Sequence, residues 1–504
     1  MHRPRGRRVA ILGAGFSGIG MAIRLKQAGC ESFVLYEKAD EVGGTWRDNG
    51  YPGAGCDVPS RLYSFSFERK ADWSHHYAEQ PEILRYMQDC VERYGLGPKI
   101  RFGTEIAAAR FDDGEGVWHL TTRKGEVFTA DVVVTGLGQL NRPTVPELEG
   151  LADFAGTTFH SARRNHAHDL RGERVGVIGS GASAVQFVPR IAPVVSKLHV
   201  FQRSPNWILR RNDAAYAALT KSVFRMAPGL EWLHRAATFW EHETRALALG
   251  GPLAPVVRTL VERSARKHLE EQVLDPELRR KLLPDYDVGC KRVLISDDFY
   301  PALTRDNVEV VTTPIARVTR DGIVTGAGRH VDVDTLIFAT GFDTLHFLAP
   351  VDVQGRGGAR LADAWRDGAE AYLGTVVSGF PNFFVLYGPN TNLGHNSIIF
   401  MIECQVDWIM RCLEELDTRG RSWLDVRREA MVESNRALGD RLRGTVWMTG
   451  CESWYKTASG KVTNNWPGFA FRFWLATRKP RFDDFAWGAG REGTGSTGTS
   501  RSLR

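Results

Sequence analysis

The sequence predicts an α/β fold with two similar parallel-sheet units and a helical insertion within the second unit. Three observations support this fold class. A glycine-rich turn stands between a short apolar strand and a helical pattern twice, at residues 9–25 and again at residues 174–188. The third observation is residues 213–286, which carry abundant charge at helical spacing and no strand-like alternation. Each glycine-rich unit therefore indicates the start of a Rossmann-like dinucleotide-binding domain.

The first unit runs from an apolar strand at residues 9–12 into three glycines at G-x-G-x-x-G spacing, Gly13, Gly15 and Gly18. The first glycine permits a tight turn, the second lets the backbone approach a pyrophosphate, and the third lets the helix pack on the strand. A second strand ends in Glu37, about 20 residues after the last glycine, where a carboxylate can accept hydrogen bonds from ribose hydroxyls.

The second unit repeats the spacing with Gly179, Gly181 and Ala184. Its next strand ends in Arg203, which occupies the place that Glu37 holds in the first unit. A carboxylate would repel a 2′-phosphate, whereas a guanidinium pairs with it through two charge-assisted hydrogen bonds. The first unit therefore suits FAD, and the second suits NADPH.

A chain of 504 residues exceeds what one hydrophobic core usually supports, so we expect several domains. Two later strands that end in Thr-Gly turns, near residues 135 and 340, are typical of a chain that returns between two such domains. The expected divisions are an FAD-binding domain (8–145 and 336–487), an NADP-binding domain (146–212 and 287–335), the helical insertion (213–286) and a disordered tail (488–504).

Composition limits the partners of the protein. The net charge of +6 is spread along the chain, which favours small anionic molecules over nucleic acid. The uncharged stretch at residues 371–402 is interrupted by Gly-Pro and Gly-Phe-Pro turns, so we expect no membrane partner. The seven cysteines are scattered along the chain, so we expect no disulfide framework and no metal site. Their pattern also predicts a reducing, cytoplasmic location. The oligomeric state stays open.

Residues 8–487 resemble the Baeyer–Villiger monooxygenases of the cyclohexanone and phenylacetone type, within the class B flavoprotein monooxygenases. The resemblance is carried by four segments: EVGGTWRDNGYPGAGCDVPSRLYSFSF (41–67), FAGTTFH (154–160), GCKRVLISDDFY (289–300) and GPNTNLGHNSIIFMIE (388–403). It implies an NADPH- and O2-dependent enzyme that inserts one oxygen atom next to a ketone carbonyl through a C4a-peroxyflavin and releases an ester or a lactone.

The segment FAGTTFH matches the F-x-G-x-x-x-H fingerprint of this family through Phe154, Gly156 and His160. The resemblance implies that His160 couples domain movement to turnover and is not the acid or base of the reaction. The family pattern usually continues with Trp followed by Pro or Asp, but this chain has Arg164 and Asn165 there. We therefore expect weaker coupling between NADPH oxidation and oxygen transfer.

The resemblance also implies roles for further residues. Arg292 matches the active-site arginine of the family, and Asp57 matches the acid that orients it. Trp454 falls in a late loop that either closes over the nicotinamide or packs as a core tryptophan. The expected FAD contacts are Ser17, Glu37, Gly44, Thr45, Trp46, Arg47, Asp57 and Tyr63. The expected NADP contacts are Ser180, Gly181, Ala182, Ser183, Ala184, Gln186, Arg203, Ser204 and Lys291.

Three alternatives stay open at this point. A nitrogen- or sulfur-oxygenating flavin monooxygenase would share the fold and both cofactors, although Asp57 and the Lys291-Arg292 pair favour carbonyl oxygenation. A disulfide reductase would need a pair of closely spaced redox cysteines, and the chain has none. The third alternative is a nucleotide-binding or redox-sensing protein without catalytic activity.

Overall fold

The structure is a computed structural model that describes residues 6–450 and 453–489. Up to residue 145 the chain forms, in order, β1 (Val9–Leu12), α1 (Phe16–Gln27), β2 (Phe33–Tyr36), α2 (Thr45–Asp48), α3 (Gln80–Arg93), β3 (Ile100–Arg101), β4 (Ile106–Asp112), β5 (Val117–Thr122), β6 (Val127–Ala130) and β7 (Val132–Thr135).

The middle of the chain contains β8 (Thr157–His160), β9 (Arg174–Ile178), α4 (Ala182–Ile191), β10 (Lys197–Phe201), β11 (Ile208–Leu209), α5 (Ala218–Met226), α6 (Pro228–Thr244), α7 (Ala254–Gln272), α8 (Pro276–Leu282), β12 (Leu294–Ile295), α9 (Phe299–Leu303), β13 (Val308–Val311), β14 (Ile315–Thr319), β15 (Gly322–Thr325), β16 (His330–Asp332) and β17 (Thr335–Phe338). The last part contains β18 (Asp352–Gln354), α10 (Leu361–Ala364), β19 (Phe383–Val385), α11 (Ile398–Thr418), β20 (Leu424–Val426), α12 (Arg428–Arg443), α13 (Ala470–Thr477) and β21 (Phe485–Trp487).

Two parallel five-stranded sheets organise the fold. The first has the strand order β19-β7-β1-β2-β3, and the second has the order β13-β10-β9-β17-β8. The central strands of the first sheet are apolar and buried along their whole length, as expected for parallel strands that are covered on both faces. In each sheet the glycine-rich turn follows a central strand, β1 or β9. The predicted α/β class with two Rossmann-like units is confirmed.

The first sheet is completed by the last part of the chain. Strand β19 pairs with β7, so a strand from residues 383–385 joins strands from residues 9–135. The long helix α11 packs against α1, and the core around them includes Ile19, Ile409 and Leu413. Folding of this unit therefore joins segments that are more than 200 residues apart along the chain.

Helices α5–α8 lie between β11 and β12, where the sequence predicts the helical insertion. Glu243 of α6 connects this insertion to the last part of the chain. Its buried carboxylate accepts hydrogen bonds from Asn396 Nδ2 at 2.8 Å, from His395 Nε2 at 3.3 Å, and from the backbone N–H groups of Ala470 and Phe471 at 3.2 and 3.1 Å. Burial raises the pKa of Glu243, but the hydrogen bonds from His395, Asn396 and Phe471 outweigh it and lower that pKa below its usual value.

The cysteine prediction was wrong in one respect, because Cys290 is disulfide-bonded. Cys30, Cys56, Cys90, Cys404 and Cys412 are free and buried, so none of these five is its partner. The sequence reasoning failed here because the cysteines are far apart along the chain, and only tertiary folding brings distant thiols into bonding range.

The predicted disordered tail lies mostly outside the described residues. Its first two residues belong instead to the folded structure, since Gly488 N donates to Trp423 O at 2.8 Å and Ser422 N donates to Ala489 O at 3.0 Å. Within the described part of the chain, no helix combines the length and the apolar character that a bilayer crossing requires.

We predict that Glu243→Ala lowers the free energy of unfolding by about 3–5 kcal/mol, since removal of a buried charged partner leaves several donors unpaired. Urea denaturation followed by tryptophan fluorescence measures this loss. Glu241→Ala is the matched control, because Glu241 lies on the same helix and is exposed, so its loss should change stability by less than about 0.5 kcal/mol. Equal effects of the two substitutions would contradict the proposed connection.

Candidate active site at the two glycine-rich turns

The first glycine-rich turn has the geometry that a dinucleotide site requires. Gly13 has φ +99°, and a Cβ there would lie 2.8 Å from Gly136 O. A Cβ on Gly18 would lie 1.9 Å from Gly13 O, whereas a Cβ on Gly15 would meet nothing within 4 Å. Two of the glycines are thus needed for packing inside the protein, and Gly15 leaves the backbone accessible at the start of α1.

Glu37 is buried beside this turn. Its carboxylate accepts hydrogen bonds from Ala14 N at 2.8 Å and Ala39 N at 3.0 Å, and Arg47 Nη1 lies 3.2 Å from Oε1. The carboxylate is therefore held in one orientation next to the turn, and Oε2, which accepts a single bond among the described residues, keeps capacity for a hydroxyl donor.

The other residues expected around FAD also lie near the first turn. Gly44 has φ +52° and a Cβ there would lie 3.4 Å from Gly15 Cα, and Thr45 begins α2. The indole N–H of Trp46 donates to the hydroxyl of Tyr63 at 3.1 Å. Ser17 is buried in the first turn of α1. The structure thus brings together residues that are up to 50 positions apart in the sequence.

The second turn repeats this arrangement on β9. Gly179 has φ +106°, and a Cβ there would lie 2.5 Å from Ala339 O, whereas a Cβ on Gly181 would meet nothing within 4 Å. Ala184 is completely buried where α4 packs on the sheet. Ala182 and Ser183 form the first turn of α4, so their backbone N–H groups lie at the positive end of the helix.

Two cations stand beside this second turn. Lys291 Nζ donates to Ser204 Oγ at 2.9 Å, and Ser180 Oγ donates to Ser204 O at 3.3 Å. Arg203 precedes Ser204 and is exposed, and it has no carboxylate partner within residues 6–450 and 453–489. The side chains of Arg203 and Lys291 therefore supply positive charge at the end of β10, where an added phosphate would meet it.

Arg292 and Asp57 form an ion pair that joins the two halves of the site. Arg292 Nε and Nη2 both donate to Asp57 Oδ2, at 2.9 and 2.6 Å. Their side chains are 29% and 26% exposed, as expected for groups that line a cleft. The charge of Asp57 raises the pKa of Arg292 above its usual value, so the guanidinium stays protonated.

Two tyrosines that the sequence reasoning missed, the buried Tyr455 and the half-buried Tyr387, interact electrostatically with this ion pair. Burial raises the pKa of Tyr455 to about 12, and burial also raises that of Tyr387, while the charge of Arg292 lowers both. Tyr387 has φ +54° and donates to Asn392 Oδ1 at 2.7 Å. Tyr387 is adjacent to the matched segment 388–403, which is the sequence signal that could have identified it.

Comparison with known proteins identifies the family. The chain is 46% identical to a Baeyer–Villiger monooxygenase of Pseudomonas aeruginosa, over 95% of this chain and 91% of that protein. It is 41% identical to one of Streptomyces coelicolor, over 94% and 91% of the two chains. The chain belongs to the Baeyer–Villiger monooxygenase family.

The solved structures agree with this assignment. Cyclohexanone monooxygenase from Rhodococcus sp. Phi1 bound to NADP+ superposes with a TM-score of 0.87 at 29% identity, covering 96% of this chain and 99% of that one. Steroid monooxygenase bound to NADP superposes with a TM-score of 0.85 at 30% identity, covering 96% and 100%. The broader family described as pyridine nucleotide-disulphide oxidoreductase matches residues 10–226.

In this member of the Baeyer–Villiger monooxygenase family, Gln186 connects the two dinucleotide units. Gln186 Nε2 donates to Gly55 O at 2.9 Å, and its Oε1 accepts from Gly55 N at 3.3 Å and from Tyr51 Oη at 2.9 Å. The sequence assigned Gln186 to NADP contact. Its amide is instead bonded to the loop that carries Asp57, and its role toward NADP stays a prediction.

His160, the last residue of the family fingerprint, is bonded at both ring nitrogens. Nδ1 accepts from Ala162 N at 3.1 Å, and Nε2 lies 3.1 Å from Gly341 O. This pattern requires the neutral Nε2–H tautomer, and burial lowers the pKa of His160, which favours the same neutral form. The ring therefore ties the end of β8 to the chain that crosses back between the domains at residue 341.

Arg163, Arg164 and Asn165, which follow the fingerprint, differ in their burial and in their contacts. Arg163 Nη1 lies 3.3 Å from Asp48 Oδ2 at the end of α2, so the fingerprint contacts the first unit. Arg164 is half-buried and finds no carboxylate within the described residues, while Asn165 is exposed. Trp454 is 37% exposed, which excludes the core-tryptophan alternative, and its carbonyl accepts from Thr344 Oγ1 at 3.2 Å.

Proposed function

We propose that this protein is an NADPH- and O2-dependent flavin monooxygenase that converts a ketone into an ester or a lactone. The observation that carries the proposal is the Arg292–Asp57 ion pair, which lies where the loop after the first glycine-rich turn meets the second dinucleotide unit. Relatives named Baeyer–Villiger monooxygenase and structural neighbours bound to FAD and NADP support it.

The residues present fit both cofactors. For FAD, the open backbone at Gly15 would receive the diphosphate, and Glu37 would accept a hydrogen bond from a ribose hydroxyl. For NADPH, Gly181 offers the corresponding open backbone, and Arg203 with Lys291 would bind the 2′-phosphate. Bound FAD, reduced by NADPH, supplies the activated oxygen from O2.

Arg292 can stabilise negative charge without giving up a proton. Two of its five N–H donors are used by Asp57, and among the described residues no acceptor occupies the others, which would serve a carbonyl oxygen. Its raised pKa means that it acts as a fixed cation, and Asp57 limits its rotation. A cation fixed in this way stabilises the oxygen of a ketone as negative charge develops there during addition.

The fixed positive charge of Arg292 also favours a ketone substrate over an amine or a sulfide. When a nucleophile adds to a carbonyl, negative charge develops on the carbonyl oxygen, whereas an amine nitrogen or a sulfide sulfur develops positive charge when it is oxygenated. A guanidinium beside the reacting atoms stabilises the negative charge on the carbonyl oxygen and opposes the positive charge on nitrogen or sulfur. We therefore propose carbonyl oxygenation over nitrogen or sulfur oxygenation.

A cytoplasmic location is also part of the proposal. The five free cysteines that the structure describes support it, because thiols persist in reducing compartments. The disulfide at Cys290 stands against it. Mass spectrometry of the protein isolated from its own cells under alkylating conditions would decide between the two.

We predict that NADPH is preferred over NADH and that Arg203→Ala weakens NADPH binding by roughly ten- to hundredfold, since a charge-assisted contact contributes about 1.5–3 kcal/mol. Titration with both cofactors measures the change. Arg305→Ala is the control and should leave NADPH binding unchanged. Arg305 is an exposed cation that precedes β13, whereas Arg203 follows the parallel strand β10, so the two lie at opposite ends of the sheet. Equal use of NADH by the unmodified protein would show that Arg203 is wrongly assigned.

We predict that the protein converts ketones of some size class to esters with matching NADPH consumption, and that Arg292→Ala loses about 100- to 1000-fold in ester formation. A panel of cyclic, aromatic, linear and steroid-sized ketones, analysed by gas chromatography, tests both statements. The flavin spectrum of the variant serves as the control, because FAD binding should persist. Substantial ester formation by the variant would remove Arg292 from its proposed role.

We predict that the protein releases more hydrogen peroxide per NADPH than relatives with an aromatic residue after the fingerprint. Arg164 is half-buried and without a carboxylate partner in the described residues, so it lacks the apolar packing of a Trp ring. The double change Arg164→Trp with Asn165→Asp should raise the ratio of ester to peroxide. An unchanged or lower ratio would mean that other contacts already compensate.

A further inference from the structure

Helix α6 exposes an apolar stripe to solvent. Leu230, Leu233, Ala237 and Trp240 recur at spacings of three and four residues, so they share one face of the helix. All four are exposed, and Trp240 is 52% accessible. The opposite side of the helix carries the buried Glu231 and Glu243. The apolar residues therefore lie on the outer side, where a surface helix usually carries polar groups.

The stripe continues onto α13. The ring of Trp240 lies 5.5 Å from that of Phe471, and Phe471 stacks on Trp474 at 5.3 Å. Trp474 and Leu475 are exposed, at 37% and 43%. We call this surface the α6–α13 face and define it by Leu230, Leu233, Ala237, Trp240, Phe471, Trp474 and Leu475.

Three exposed cations border the α6–α13 face. Arg472, Arg478 and Lys479 lie on α13 or directly after it, and residues 470–482 contain no Asp or Glu. Within the described part of the chain none of the three has a carboxylate partner, and the Arg478 guanidinium lies 5.4 Å above the Trp474 ring.

Two acidic side chains near the face are already paired with arginines. Glu241, which is exposed on α6, pairs with Arg245 at 3.6 Å. Asp407 on α11, close to Arg478 and Trp474, pairs with Arg24 at 2.8 Å. The α6–α13 face therefore combines apolar and aromatic groups with a net positive border.

We propose that the α6–α13 face docks this protein on an anionic lipid surface. Tryptophan and leucine side chains insert at the boundary between head groups and acyl chains, and neighbouring cations attract anionic head groups. A contiguous exposed apolar surface of this kind marks an interaction site. This proposal departs from the expectation, drawn from the sequence, of no membrane partner. That expectation rested on the turns that interrupt residues 371–402, which argue only against a segment that crosses the bilayer, and docking on a surface needs no such segment.

A second copy of the chain is a poorer occupant. A symmetric dimer brings the same surface of both subunits together, so it would place Arg472, Arg478 and Lys479 close to their own copies. Anionic head groups complement these charges instead. The face is also preformed, because Glu243 of α6 binds the N-terminal backbone of α13 and fixes the two helices relative to each other.

The test is co-sedimentation of the full-length, FAD-loaded protein with phosphatidylcholine vesicles, with and without phosphatidylglycerol. We expect binding to the phosphatidylglycerol vesicles that weakens as salt is added. Trp240→Ser with Trp474→Ser should lower the partition coefficient by at least about tenfold. Trp232→Ser is the matched control, since Trp232 is 59% exposed on the same helix but lies about 100° around it from Leu233.

A variant that lacks two of the cations separates the electrostatic contribution to binding from that of the apolar side chains. Arg472→Gln with Lys479→Gln should weaken binding by about fivefold for each cation removed. Arg110→Gln with Lys124→Gln, at exposed cations of the β4–β6 region, should leave it unchanged. NADPH oxidation without vesicles should be the same in all variants.

Two results would overturn the proposal. One is that the protein either fails to bind phosphatidylglycerol vesicles or binds them equally well when the tryptophans and the cations are replaced. The other is a dimer in analytical ultracentrifugation that the Trp240 and Trp474 changes convert to monomer, which would make the face a contact between copies of the chain. Both results are independent of ester formation, so they leave the proposed function untouched.

Discussion

The ion pair between Arg292 and Asp57 ties the chemistry of this protein to the arrangement of its domains. Asp57 lies in the loop that follows α2, close to the first glycine-rich turn, whereas Arg292 lies just before β12 in the second unit. The pair forms only when the two units are correctly placed. Asp57 also limits the orientation of the Arg292 guanidinium, so the proposed role of Arg292 and the placement of the two units depend on the same contact.

Several further contacts between the units are polar. Gln186 binds the backbone of Gly55, His160 binds the carbonyl of Gly341, and Arg163 contacts Asp48. Polar interfaces of this type permit relative movement of domains more readily than large apolar ones. A guanidinium at Arg164 adds no apolar packing to this boundary, which is the physical basis for expecting imperfect coupling.

The helical insertion has one side that packs against the last part of the chain and one that faces solvent. Its helix α6 presents Glu243 inward, to the loop before α11 and to the start of α13, and an apolar stripe outward. The inward contacts explain why the insertion holds a defined position. The outward stripe has no equivalent explanation in the packing of the chain, and a lipid surface accounts for both its apolar residues and its cationic border.

The sequence by itself determined the two glycine-rich turns, the acidic and basic residues that follow them, and the helical insertion. The spacing of the glycines and the residues that follow them are local features of one strand, turn and helix. The atoms that exclude a Cβ at Gly13 and Gly179, by contrast, come from distant segments that only folding brings close. The Arg292–Asp57 pair could be expected only from resemblance to known proteins, and its geometry comes from folding. Tertiary structure alone decided the Gln186 contact with Gly55, the disulfide at Cys290, the inclusion of residues 488–489 and the α6–α13 face. Each of these joins groups far apart along the chain, and no periodicity or spacing in the sequence encodes which distant surfaces will meet.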